Sequence, residues 1–236
     1  MKKPQNPFKQ LNRFEWILWS ISSAVVLLSF LLPREKDFVS LIASLIGVTA
    51  LIFIAKGMVF GQFLVVVFST IYGFLALAQK YYGELITYLC MTAPMAISAI
   101  VSWMKNPFQD SPEVSVRRMR KKEWLLLVPL TAVVTVVFYF ILKTMGTSNV
   151  LVSTISITTS FFAASLTFLR SPYYALGYVA NDIVLIVLWI FSAIKTLAYL
   201  PMVFCFVMFL FNDLYGFWSW KRMEKRQSVP LSETVS

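Results

Sequence analysis

The sequence contains no histidine and only two cysteines, Cys90 and Cys205, and only 14% of its 236 residues are charged. The missing histidines exclude metal sites and general bases built on imidazole. Both cysteines lie inside apolar runs, so they indicate buried thiols rather than a disulfide framework or a redox motif. A charged fraction well below the roughly 25% found in soluble domains is typical of a membrane protein. We therefore expect neither a metal ion nor a cofactor.

Apolar residues dominate what is present. They make up 58% of the chain, and the mean hydropathy is +0.74. A soluble domain of this length has no core large enough to hide so much apolar surface. Eight apolar runs are each long enough to cross a bilayer as a helix, at residues 14–32, 38–54, 58–78, 83–103, 124–142, 150–168, 172–191 and 197–218. The sequence predicts an all-α polytopic membrane protein with eight transmembrane helices, whose short loops place its function inside the membrane.

The basic residues indicate an orientation. Eight spans put both termini on one side, and a cytoplasmic position for the termini leaves only five of the 21 Lys and Arg residues outside: Arg34, Lys36, Lys80, Lys143 and Lys195. This asymmetry follows the positive-inside rule. Because it explains the net charge of +10 and the basic residues are not interleaved with aromatics, we expect the bilayer and no nucleic acid as a partner. Five tryptophans near span ends predict an interfacial aromatic belt: Trp16, Trp103, Trp124, Trp218 and Trp220.

The two halves of the chain resemble each other weakly. The fourth span ends in "SAIVSWMK" (98–105), the eighth ends in "YGFWSWKR" (215–222), and both run in the same direction. Parallel repeats are a transporter architecture with the site near the midplane at the repeat interface. The predicted organisation is an N-terminal tail and extra transmembrane helix at 1–37, a first three-helix repeat at 38–105, a cytoplasmic basic loop and linker helix at 106–149, a second three-helix repeat at 150–222 and a cytoplasmic tail at 223–236. The core would be a 3+1+3 parallel repeat.

Two acidic residues lie well inside the predicted spans. Nine of the eleven acids, Glu84 among them, fall in loops or near span ends, whereas Asp182 and Asp213 each follow an asparagine in the interior of a span. At 1.5 Å per residue, Asn181 and Asn212 lie roughly 14 Å and 12 Å from the cytoplasmic boundary, on neighbouring antiparallel helices. A carboxylate at that depth costs about 2.5 kcal/mol or more. Packing needs no carboxylate there, so the two Asn-Asp pairs predict a substrate site or pathway.

A polar stripe extends this site. Tyr174, Tyr178 and Asn181 are spaced by four and three residues and share one helix face, which suits a flat heteroaromatic ligand with hydrogen-bonding groups. The sixth span adds the hydroxyls of "STISITTS" (153–160), Thr154 and Thr158 among them. Interhelical packing is the competing interpretation for any one Ser or Thr, because such contacts contribute about 0.6 to 2 kcal/mol in membranes. Tyr174, near a span end, also fits an interfacial belt.

With these residues in view, the chain resembles the PnuC family of bacterial nicotinamide riboside transporters. The resemblance covers about residues 38–222. It is strongest in "IYGFLALAQKYYGELITYLCMTAPMAISAIVSWMKNP" (71–107), around Asn181 and in "NDLYGFWSW" (212–220). It implies a core similar to the sugar-transporting SWEET proteins and no enzymatic activity. It also implies facilitated diffusion of nicotinamide riboside, or a closely related pyridine nucleoside, for NAD biosynthesis by a homotrimer in the bacterial plasma membrane.

One departure concerns the seventh span. Many members carry a pattern like W-x-x-W-x-x-x-N, where this chain has Tyr174, Gly177 and Asn181. The asparagine is kept, one aromatic has become a tyrosine, and Tyr178 is the candidate to replace the other. On the leading hypothesis, Tyr174 and Tyr178 stack on the ligand, and Asp182 and Asp213 meet ribose hydroxyls or a cationic ring. The expected polar anchors are Asn181, Asn212, Thr154 and Thr158.

Three alternatives remain open from the residues. The ligand would be another vitamin, such as riboflavin or thiamine, in a related transporter. A proton-coupled carrier would use Asp182 as its relay. An intramembrane aspartyl protease also needs two aspartates on adjacent spans, but that chemistry expects Gly-x-Gly-Asp around one of them, and the chain has Ala-Asn-Asp and Phe-Asn-Asp.

Overall fold

In the computed structural model, which describes residues 6–109 and 111–228, the chain is a bundle of eight spans that are long and apolar enough to cross a membrane. The helices are α1 (Arg13–Leu31), α2 (Phe38–Ala55), α3 (Val59–Ala78), α4 (Tyr82–Ile86), α5 (Ala93–Lys105), α6 (Lys121–Thr144), α7 (Val150–Phe168), α8 (Tyr174–Lys195) and α9 (Leu200–Gln227). A π-helical stretch, Thr87–Thr92, joins α4 and α5 into one span. These residues form no β-strand, so the prediction of an all-α protein with eight transmembrane helices is confirmed.

Polar side chains define where the first helices begin. Asn12 and Glu15 cap α1 reciprocally, because each side chain accepts a hydrogen bond from the other residue's backbone N–H. Asp37 caps α2 by accepting from the backbone N–H groups of Val39 and Ser40. Gly57, with φ of +68°, allows the tight turn into α3. Local sequence chemistry therefore sets these span boundaries.

The spans surround one interior. Helix α9 packs along α2 and α8, α2 packs on α3, and α7 packs on α8. Helix α1 lies at the periphery against α2 and α9. Helix α6 packs mainly on α7 and leaves most of its apolar surface exposed. The centre of the bundle is therefore bordered by helices from both halves of the chain.

Two tryptophans link the halves reciprocally. Trp103 of α5 donates its indole N–H to the carbonyl of Thr167 in α7 at 3.3 Å, and Trp220 of α9 donates to the carbonyl of Ile54 in α2 at 2.8 Å. The last helix of each predicted repeat thus contacts the end of the first helix of the other. This reciprocity is what a parallel repeat requires, and it supports the 3+1+3 arrangement that we propose for the core.

The predicted aromatic belt is wrong at those two positions. Trp103 and Trp220 are buried, with their ring centroids 5.4 Å apart. Trp16 and Trp218, by contrast, are exposed on the outside of the bundle. The buried pair forms its hydrogen bonds to carbonyls at helix ends, a role that position along a span does not reveal.

Candidate functional site

A cavity opens between the two halves of the bundle. The atom-free space inside it is about 630 Å³ when open solvent at its mouth is included. The lining residues are Leu51, Ile54, Gln62, Val65, Phe68, Tyr88, Thr92, Met95, Ala96, Ala164, Thr167, Tyr174, Tyr178, Asn181, Asp182, Phe209 and Asp213. The structure therefore brings five predicted site residues to one cavity: Tyr174, Tyr178, Asn181, Asp182 and Asp213.

Asn181 is held by hydroxyl groups of α7. Its side-chain oxygen lies 3.2 Å from the hydroxyl of Ser156, 2.9 Å from that of Thr159 and 2.9 Å from that of Ser160. The helices approach closely here because Gly177 faces Ala163, and a β-carbon at position 177 would lie 2.8 Å from that of Ala163. With its oxygen occupied by α7, the amide has its N–H groups left for a ligand.

The close approach leaves no room for a tryptophan at position 177, where the resemblance implies one. Helix α7 fills the space that a larger side chain would need. Tyr178, one residue further along α8, lines the cavity instead.

Asp182 and Asp213 form an acidic pair across α8 and α9. Their carboxyl groups lie within hydrogen-bonding reach of each other, and both residues are buried. The pair faces the cavity. In the described part of the chain, no lysine or arginine lines this cavity. Two carboxylates this close repel each other unless they share a proton or meet a cation, so the pair favours a positively charged ligand.

The two tyrosines differ in accessibility. Tyr174 is fully buried and packs edge-on against Trp220, with ring centroids 4.9 Å apart. Tyr178 is half-buried and lies 6.1 Å from Tyr174, centroid to centroid. Both rings line the cavity, but only Tyr178 has appreciable free surface for stacking.

Three predicted site residues lie elsewhere. The amide of Asn212 donates to the hydroxyl of Ser22 in α1 and to the backbone of its own helix. Thr158 exchanges a hydrogen bond with Thr135 of α6, and the hydroxyl of Thr154 bonds to the backbone of α7. None of the three lines the cavity. The structure therefore does not bring these three residues to the cavity, because residues at one depth of a helix still face different neighbours.

The family model described as "Nicotinamide mononucleotide transporter" matches residues 37–222. The chain belongs to this nicotinamide mononucleotide transporter family. The match begins where α2 begins, so it contains every residue of the cavity lining and leaves α1 outside.

Two relatives agree with membership of the nicotinamide mononucleotide transporter family, and a solved structure shares the fold. A nicotinamide riboside transporter PnuC from Neisseria mucosa is 27% identical over 89% of this chain and 84% of its own length. The one from Haemophilus influenzae is 22% identical over 89% of this chain and 91% of its own length. A crystal structure described as the vitamin B3 transporter PnuC matches with a TM-score of 0.81 and 22% identity, over 92% of this chain and 94% of that one.

Two polar residues in or near the cavity were not predicted from the sequence. Gln62 of α3 lines the cavity, and its amide nitrogen has no hydrogen-bond partner among the described residues. Its position as the one polar residue in "VFGQFLVVVF" (59–68) was a usable signal. Glu84, expected near a span end, is fully buried inside the bundle. Nothing in its local sequence distinguishes it, because the depth of α4 depends on how the chain turns before it.

Proposed function

We propose that the chain transports nicotinamide riboside, or a closely related pyridine nucleoside, across the membrane by facilitated diffusion and so supplies NAD biosynthesis. Membership of a transporter family and the names of both relatives support this substrate class. The cavity between the two halves of the bundle is where such a ligand would bind.

The charge of the cavity favours the nucleoside over the mononucleotide as substrate. The pyridinium ring of the riboside is cationic, and an Asp182–Asp213 pair that shares one proton keeps one negative charge to meet it. The mononucleotide adds a phosphate group, which proteins normally bind with Arg, Lys or helix N-termini. The described lining residues offer no basic side chain. We therefore favour the nucleoside over its phosphorylated form.

The remaining groups fit the other parts of that nucleoside. The ring of Tyr178 offers a stacking face, and stacking a cation on an aromatic ring contributes about 2 kcal/mol or more in a desolvated site. The N–H groups of Asn181 and Gln62 suit the carboxamide oxygen and the ribose oxygens. This assignment of roles extends the predicted site to Gln62.

A proton-coupled carrier is the second candidate. The contact between Asp182 and Asp213 favours it, because two adjacent carboxyl groups in a buried site readily exchange a proton. An aspartyl protease is disfavoured, since the family is one of transporters and neither aspartate lies in a Gly-x-Gly-Asp sequence.

We further propose a homotrimer in the bacterial plasma membrane, with both termini in the cytoplasm. The distribution of basic residues supports the orientation. The exposed apolar face of α6 is suited to lipid or to a neighbouring copy of the chain.

Competition binding tests the substrate. Purified protein in detergent is incubated with labelled nicotinamide riboside and an excess of unlabelled riboside, mononucleotide, riboflavin or thiamine. We expect displacement by the riboside at the lowest concentration and by the mononucleotide only at a much higher one. Equal or better displacement by riboflavin or thiamine would reassign the substrate to that vitamin.

A further inference from the structure

A buried carboxyl group lies behind the cavity. Glu84, in the short helix α4, is fully buried and does not itself line the cavity. One of its carboxyl oxygens lies 3.1 Å from the hydroxyl of Ser156 in α7, and the other has no hydrogen-bond partner in the described part of the chain. Ser156 also lies 3.2 Å from the side-chain oxygen of Asn181. Glu84, Ser156 and Asn181 therefore form a chain of polar groups that ends at the cavity.

The surroundings of Glu84 offer no positive charge. Its titratable neighbours are the phenols of Tyr72, Tyr81 and Tyr88, and among residues 6–109 and 111–228 no lysine or arginine pairs with it. An ionised carboxylate would be an uncompensated buried charge, which is very unfavourable. Glu84 therefore holds its proton, and a protonated carboxyl group is a hydrogen-bond donor.

The number of hydroxyl protons limits how Asn181 is held. Ser156 has one proton to donate, although both Glu84 and Asn181 lie within reach of it. Thr159 also has only one, and the backbone carbonyls of Ile155 and Ser156 compete for it at 3.0 Å each. When Glu84 donates its own proton to the Ser156 oxygen, the Ser156 proton is left for Asn181. An ionised Glu84 would instead draw the Ser156 proton away, because a carboxylate is the stronger acceptor.

We propose that Glu84 is a positioning residue for substrate recognition: its carboxyl O–H donates to Ser156, which donates to Asn181 and so turns the Asn181 N–H groups towards the cavity. Without this relay, the Asn181 oxygen keeps the Ser160 hydroxyl at 2.9 Å but loses the Ser156 donor, so the amide is held less firmly with its N–H groups towards the cavity. The π-helical stretch that follows α4 is consistent with this role, because such stretches are frequent at functional sites.

The affinities of mutants for nicotinamide riboside test the relay. This test rests on the proposed function, because the riboside is its probe. Glu84→Gln keeps a donor at the same place and is expected to bind the riboside within about twofold of the wild type. Glu84→Leu and Ser156→Ala each remove the relay and are expected to bind about tenfold more weakly, as for the loss of one hydrogen bond to a buried group. Ser153→Ala, another buried hydroxyl of α7, is the matched control and should leave affinity unchanged.

A double-mutant cycle separates this role from general packing. Two substitutions within one relay do not have additive effects on affinity. The double variant Glu84→Leu with Ser156→Ala should therefore bind no more weakly than either single variant. Additive losses would overturn the proposal, as would a Glu84→Gln variant as weak as Glu84→Leu. If Glu84→Leu does not fold, the comparison of Glu84→Gln with Ser156→Ala still decides between the outcomes.

Infrared spectroscopy tests the same hydrogen bond without a ligand. The difference between wild-type and Glu84→Gln spectra should contain the carbonyl band of a protonated carboxylic acid, shifted by Ser156→Ala but not by Ser153→Ala. A carboxylate band in its place would overturn the proposal. If the wild-type chain binds no nicotinamide riboside, the proposed function fails, and the infrared result still decides whether Glu84 donates to Ser156.

Discussion

The side-chain oxygen of Asn181 is hydrogen-bonded within the protein, and its N–H groups are left for a ligand. Three hydroxyls of α7 surround its oxygen, while the residue lines the cavity. Replacing it with Ala removes one buried polar anchor, which costs about 1–3 kcal/mol. We expect Asn181→Ala to lower uptake of nicotinamide riboside at least about tenfold. Thr158→Val is the control on the neighbouring helix, since the Thr158 hydroxyl bonds to α6 and not to the cavity. Normal uptake by well-expressed Asn181→Ala protein would contradict the proposed site.

Tyr178 gives a graded prediction at the same scale. Its ring is the accessible aromatic surface of α8 in the cavity, so stacking depends on the ring and not on the hydroxyl. Stacking contributes about 0.5–1.5 kcal/mol beyond area burial, and more for a cationic ring. Tyr178→Phe should change riboside affinity little, Tyr178→Trp should be neutral or better, and Tyr178→Leu should weaken binding about tenfold in a titration of the purified protein.

Tyr173→Leu is the matched control for that series. Its ring is exposed and lies outside the cavity, although it neighbours Tyr174 in the chain. If Tyr178→Leu binds as tightly as Tyr173→Leu, the aromatic surface only packs the bundle.

The depth of a polar residue in an apolar run predicted which residues meet at the cavity in some cases and not in others. Asp182 and Asp213 do meet at one cavity, as their equal depth on adjacent helices indicated. Asn212 lies beside Asp213 in the sequence but faces α1, because successive residues of a helix are rotated by about 100°. The facing direction of one residue depends on tertiary packing, which a single sequence does not contain.

At the scale of whole helices, the reciprocal tryptophans give a stability prediction. Trp103→Phe and Trp220→Phe each remove one buried hydrogen bond from a carbonyl that keeps a backbone donor, which costs about 0.5–1.5 kcal/mol. We expect both variants to lower the midpoint of thermal unfolding in detergent by similar amounts, because the two contacts correspond in the proposed repeat. Exposed Trp218→Phe should leave the midpoint unchanged. A loss confined to one of the two buried tryptophans would argue against the repeat.

The existence of the helices was predictable, whereas their irregularities were not. Apolar run lengths predicted all eight spans, and the shared "SW" near the ends of the fourth and eighth spans indicated the repeat that we propose. The π-helical stretch inside the fourth span and the burial of Glu84 beside it had no such signal. Apolar periodicity reports that a segment is helical, but a local change of hydrogen-bonding pattern depends on neighbouring helices.

For the molecule as a whole, the charge asymmetry predicts which side each loop faces. In a variant lacking Cys90 and Cys205, a cysteine replacing Glu35 should react with a membrane-impermeant thiol reagent in intact bacteria. A cysteine replacing Ser228, after α9, should react only once the membrane is opened. Measured labelling in the reverse order would contradict the proposed orientation with both termini cytoplasmic.

Uptake into proteoliposomes tests the central claim, uncoupled transport of a cationic nucleoside, most directly. Vesicles with equal pH and salt on both sides, and zero membrane potential set by potassium and its ionophore, are given labelled nicotinamide riboside. We predict uptake that stops when the inside and outside concentrations are equal and that neither a proton gradient nor an uncoupler changes. Accumulation above the outside concentration in response to a proton gradient would contradict uncoupled transport and favour a proton relay at Asp182 and Asp213.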